Sequence, residues 1–169
     1  MPKQSRKKIT IICGGPSAER GISLNSARSL FDNLDKKKYD LSLLYFNPRL
    51  EVFTITPAQI YSNTPLDFDY MLAHSGKALG KDQLITTLKK TDLVFPAIHG
   101  LFGEDGKLQS MLEKINVPYL GSASQAMKNT SDKARCQKLL QKCGFKTFDY
   151  YVVKKGDPLP ALPAGKYVI

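Results

Sequence analysis

KITIICGGPSAERGISLNSARSL, residues 8–30, decides the fold. Lys8 to Cys13 read as a short, apolar, buried strand. Gly14-Gly15-Pro16-Ser17 follow, a loop that no regular element crosses. Beyond it Ala27, Leu30, Phe31 and Leu34 recur at i, i+3, i+4 and i+7, the buried stripe of a helix. A strand, a glycine-rich turn and a helix therefore follow one another in the first 34 residues.

Working outward, the same alternation continues. LSLLYF, residues 41–46, is a second strand ended by Asn47-Pro48. Residues 49–80 carry Pro57, Pro65 and Gly76 and read as a loop-rich insertion, with Val52 to Ile55 part of a short strand pair. Leu84 to Leu88 is helical, and DLVFPAI, residues 92–98, is a buried strand despite its proline. Leu108, Met111, Leu112 and Ile115 mark another helix, and Val117 to Leu120 a short strand. Apolar strands alternating with helices predict an α/β fold, a parallel sheet in three layers with helices on both faces. Ligands of such sheets sit at the carboxyl ends of the strands, where Gly14-Gly15 and His99-Gly100 both fall. In the last third, Cys136, Leu139, Leu140 and Cys143 predict a helix opened by Ser131 and Asp132 and closed by Gly144. TFDYYVV, residues 147–153, reads as a strand, a three-proline loop follows, and Tyr167-Val168-Ile169 looks like a strand begun and not completed, the mark of a truncated protein.

Composition sets the outer bounds. The chain has 169 residues, 42% of them hydrophobic, enough for one domain with a core and too few for two full ones. No apolar run approaches the length of a membrane span, and ITIIC is too short for a secretory signal, so a cytoplasmic protein with no membrane partner is expected. The three cysteines, without a Cys-x-x-Cys pair, are expected to be buried free thiols. The net charge of +10 is scattered apart from Lys36–Lys38 and the first residues, and no nucleic-acid-reading motif accompanies it, so nucleic acid is not an expected partner.

Two loops and one helix carry the candidate chemistry. The first loop has neither the Gly-x-Gly-x-x-Gly spacing nor the Gly-Lys-Ser/Thr of nucleotide-binding loops. Its Glu19, at a helix start, suits a substrate ammonium or a contact with the helix dipole. In the second loop, His99-Gly100-Leu101-Phe102-Gly103-Glu104-Asp105-Gly106, the adjacent acids suit a helix cap better than a metal, and His99 suits a neutral hydrogen-bonding role in a cleft. Lys133 extends the apolar stripe of its helix and is expected to point inward, unless its long stem carries the charge past the helix end.

Together, GGPSAERGISLNSA, FPAIHGLFGEDGKLQSMLEKINVPYLGS and SDKARCQKLLQKCG resemble the amino-terminal half of D-alanine–D-alanine ligases, in the family's order and over roughly residues 8–153. The resemblance implies a flexible basic tail over 1–8, a Rossmann-like pre-ATP-grasp domain over 9–128, and over 129–169 the truncated start of an ATP-grasp central domain. It implies a ligase that phosphorylates the carboxylate of one D-alanine from ATP, with Mg²⁺, before the amine of a second D-alanine attacks, for peptidoglycan synthesis. Glu19 would be its catalytic residue here, holding the first ammonium. Ile22 and His99 would complete that substrate site, and Lys133 would reach the nucleotide phosphates. Gly21 stands where many relatives carry an acid, leaving the helix start less negative. The second phosphate-binding lysine, the adenine segment, the Mg²⁺ carboxylates, and the serine and tyrosine partners of Glu19 are expected beyond Ile169. The chain alone is therefore expected to be inactive, and the full-length protein to be a homodimer. The alternatives are a stand-alone ligand-binding module of this fold, or a ligase joining D-alanine to D-lactate or D-serine.

Overall fold

Alternation of side chains along the strands builds two cores, one on each face of the sheet. In the computed structural model, which describes residues 5–61, 64–158 and 160–161, β1 (Lys7–Gly14) lies between β2 (Tyr39–Phe46) and β4 (Leu93–Pro96), parallel to both. Ile9, Ile11 and Cys13 of β1, with Leu43 and Tyr45 of β2, point to one face and pack under α1 (Arg20–Asn33) and α2 (Pro65–Ser75). Ile12, Leu44 and Phe46 point to the other and pack under α3 (Lys81–Leu88) and α4 (Lys107–Lys114). Residues 9–14 of β1 and 43–46 of β2 are buried on two sides, which is why these stretches read as mostly apolar. The result is the expected three-layer α/β fold.

β3 (Val52–Ile55) pairs antiparallel with β2, giving the order β3-β2-β1-β4. Beyond β4 a single parallel bridge joins Val94 to Tyr119, so Val117 to Leu120 contribute one pair rather than a full strand. α5 (Ser124–Ser131) ends the first of two compact units, residues 1–131.

The second unit, residues 132–169, holds α6 (Lys133–Lys142). Asp132 caps it by accepting the Arg135 amide at 2.9 Å, and Gly144, at φ +83°, follows its end. α6 buries none of its residues, so the expected inward stripe does not form.

Four further expectations are corrected. Lys7 and Lys8 belong to β1 instead of a loose tail: the Lys7 amide donates to Lys38 O at 3.0 Å and the Lys8 amide to Asp92 Oδ2 at 2.7 Å. The insertion carries one strand, β3, and a helix, α2, whose Thr64 cap accepts the Asp67 amide at 3.1 Å. TFDYYVV forms no strand, and among the described residues no strand pairs with it. Of the thiols only Cys13 is buried, while Cys136 is half-buried and Cys143 exposed. The anticipated strand at Tyr167 lies outside the described residues.

Candidate functional site

The turn leaving β1 is set by Gly14, whose φ of +93° and approach to the Phe46 carbonyl leave no room for a Cβ. The Gly14 amide donates to Ser23 Oγ at 2.8 Å and the Gly15 amide to Phe46 O at 2.7 Å, fixing the entry into α1. Glu19 occupies the residue before that helix, yet its side chain caps nothing. The carboxylate turns back instead. Ser17 Oγ donates to Glu19 Oε2 at 3.4 Å and accepts the Glu19 amide at 3.1 Å.

The second loop meets it there. A Cβ on Gly100 would stand 2.4 Å from Ser17 Oγ and 2.5 Å from Glu19 Oε2, and Gly100 has φ +70°. Glycine is therefore what lets the loops after β1 and β4 touch, with an exposed carboxylate at the contact. Next to it His99, 36% accessible at its side chain, has Nε2 2.9 Å from Ser26 Oγ and Nδ1 3.5 Å from Glu104 Oε1. The adjacent acids thus divide their work: Asp105 accepts the Lys107 amide at 3.0 Å beside the start of α4, and Glu104 faces His99.

Arg20, beside Glu19, anchors the helix start from below. Its Nη2 lies 3.0 Å from Asp69 Oδ2 on α2, and the Tyr45 hydroxyl donates to Asp69 Oδ1 at 2.5 Å. Burial first, and then the neighbouring Asp69 carboxylate, push the Tyr45 hydroxyl far above the ordinary tyrosine range, so it remains a donor. This Tyr45–Asp69–Arg20 chain escaped sequence reading because α2 itself did.

Ile22 is 52% exposed, one turn beyond Glu19 on α1. It lines a cavity of about 300 Å³ with Gly21, Asn25, Arg28 and Pro65, which neither Glu19 nor His99 lines. A larger cavity of about 750 Å³ opens between α3, α4 and α5 and includes none of the expected site residues. Lys133 is the first residue of α6, in the second unit, and is exposed. Among the described residues no three His, Cys, Asp or Glu side chains converge as metal ligands, and no helix is long and apolar enough to cross a membrane.

These features define a class: a three-layer, mainly parallel α/β domain with acidic and imidazole groups gathered where two strands end. The chain belongs to the family described as "D-ala D-ala ligase N-terminus", whose sequence profile matches residues 8–122. It is 32% identical over 163 residues to the D-alanine–D-alanine ligase of Oceanobacillus iheyensis, covering 90% of this chain and 44% of that one. Among solved structures it is similar to the D-alanine–D-alanine ligase of Coxiella burnetii, with TM-score 0.75 and 28% identity over 90% of this chain and 47% of that one. It is also similar to the VanG D-Ala:D-Ser ligase of Enterococcus faecalis, with TM-score 0.68 and 30% identity over 83% and 43%. The chain thus spans less than half the length of these relatives.

Proposed function

We propose that this chain is the part of a D-alanine–D-alanine ligase that receives the first D-alanine, with the compact unit that ends at Ser131 as its amino-terminal domain. One observation carries the reading: the Glu19 carboxylate lies against Gly100, where the loops after β1 and β4 meet. An exposed carboxylate whose one hydrogen bond among the described residues is a long one from the Ser17 hydroxyl is a ready acceptor for an ammonium group. Glu19 binds the ammonium of the first D-alanine, Ile22 offers apolar surface one turn along α1, and His99 helps to position the amino acid.

The proposed reaction is ATP-dependent. The carboxylate oxygen of the first D-alanine takes the terminal phosphoryl group of ATP, releasing ADP. The amine of the second D-alanine then attacks the acyl carbon, expelling phosphate and losing a proton as the peptide bond forms. Lys133, at the exposed start of α6, supplies positive charge for the nucleotide phosphates. The Mg²⁺ that accompanies ATP in such chemistry finds no converging ligand set among the described residues, so no step is assigned to it. The product dipeptide would serve peptidoglycan synthesis in the cytoplasm, and the whole ligase would act as a homodimer.

A second reading has its own support. The likeness to a D-Ala:D-Ser ligase is comparable to that to a D-Ala–D-Ala ligase, which supports a ligase joining D-alanine to D-serine as the second reading. Titration of the 169-residue chain with D-alanine, followed by amide chemical shifts, tests the proposal. Shifts clustered at Ser17, Glu19, His99 and Gly100, lost in Glu19→Gln, are expected. Equal binding by wild type and Glu19→Gln would sink it.

A further inference from the structure

Glu19, Ile22 and Ser26 stand at i, i+3 and i+7 and so share one face of the start of α1. Glu19 and Ile22 have roles in the proposed D-alanine site, and a role for Ser26 rests on that assignment. Its half-buried hydroxyl is the one hydrogen-bond partner of His99 Nε2 among the described residues. On the opposite side of the ring, Nδ1 faces the Glu104 carboxylate at 3.5 Å.

The two neighbours impose a tautomer. A carboxylate favours the hydrogen on the ring nitrogen it faces, because a bare lone pair aimed at an anion is repelled. In the neutral ring Nδ1 then carries the hydrogen and Nε2 is an acceptor. Ser26 has a single hydroxyl hydrogen and donates it to Nε2. We propose that Ser26 is a positioning residue of this site: with Glu104 it fixes neutral His99 as the Nδ1–H tautomer and clasps α1 to the second loop. His99 then offers a ligand a bare Nε2 and no N–H. Ser26 fills the Nε2 lone pair until a donor on the ligand replaces it.

The chain has two histidines, which makes the test direct. Ring ¹⁵N–¹H correlation spectra of the full 169-residue protein, taken at about pH 8 and so above the ordinary histidine pKa, report which nitrogen carries hydrogen. His74, whose Nδ1 lies 2.8 Å from the Tyr70 carbonyl on α2, is the internal reference. His99 is expected to show Nδ1 protonated and Nε2 bare. Ser26→Ala should shift the Nε2 signal and raise the share of the Nε2–H form, with His74 and the backbone amides of the core unchanged. Ser26→Thr should restore the wild-type pattern. Hydrogen on Nε2 of His99 in the wild type, or a Ser26→Ala spectrum with both ring nitrogens unmoved, would overturn the proposal. Addition of D-alanine separates the two readings. The expected tautomer with no response to D-alanine supports the role of Ser26 while removing the substrate assigned to the site.

Discussion

Gly100 carries more of the site than any charged residue beside it. Its positive φ and the closeness of Ser17 and Glu19 mean that Gly100→Ala both strains the backbone and displaces the carboxylate. We expect a loss of about 1–3 kcal/mol in stability, read from a urea midpoint, together with loss of D-alanine binding. Cys13 makes a separate prediction. Burial pushes its thiol up from 9.0 to about 12. Below pH 9 the thiol is protonated in folded and unfolded chains alike and contributes no pH dependence. Between pH 9 and about 12 the unfolded chain loses the proton first, so stability falls as pH rises, by at most roughly 4 kcal/mol. Urea midpoints across that range should fall more steeply for wild type than for Cys13→Ala.

Among the elements, α5 depends on one acid. Glu113, near the end of α4, accepts the Ser124 amide at 2.8 Å, the Ser124 hydroxyl at 2.5 Å and the Tyr119 hydroxyl at 2.7 Å. Hydrogen bonds from Ser124, joined by Tyr119, hold its carboxyl below the ordinary 4.5. A carboxyl lowered by folding stabilises above its unfolded pKa, and the contribution disappears as pH falls through the folded value. Glu113→Gln should flatten this part of the acid unfolding curve and speed amide exchange in the first turn of α5. The elements also separate what sequence reveals from what it hides. β1, β2 and β4 were legible because the buried ends of β1 and β2 and the short β4 are dominated by apolar residues. α2 was not, because Leu66, Tyr70 and Met71 are exposed while Phe68 and Leu72 are buried, which erases the polar face that periodicity needs. TFDYYVV misled for the converse reason: its apolar composition suits a strand, but pairing requires a partner that composition does not report. Of the site, Glu19, His99 and the touching loops were readable from strand ends and glycines. The Ser26 contact was not, since it joins residues 73 apart in the chain.

For the molecule as a whole, the second unit differs in kind from the first. Residues 1–131 enclose two cores, whereas Leu139, Leu140, Phe145, Phe148, Tyr151, Val152 and Val153 of the second unit are all exposed. Few buried contacts mean local opening at little cost. Hydrogen exchange should be fast across α6 and slow in β1 and β2, and limited proteolysis should cut after residue 131 first. The purified 169-residue chain, given ATP, Mg²⁺ and D-alanine, is expected to release no phosphate above the buffer background. Detectable dipeptide would show that the ligation machinery is complete within it. Cys143, just past α6, brings a practical consequence. Its open thiol is where two chains would join covalently in air, giving a pair at twice 18.8 kDa on a gel run without reductant. A tally of subunits therefore belongs in reducing buffer, and the same thiol is the natural attachment point for a single maleimide dye.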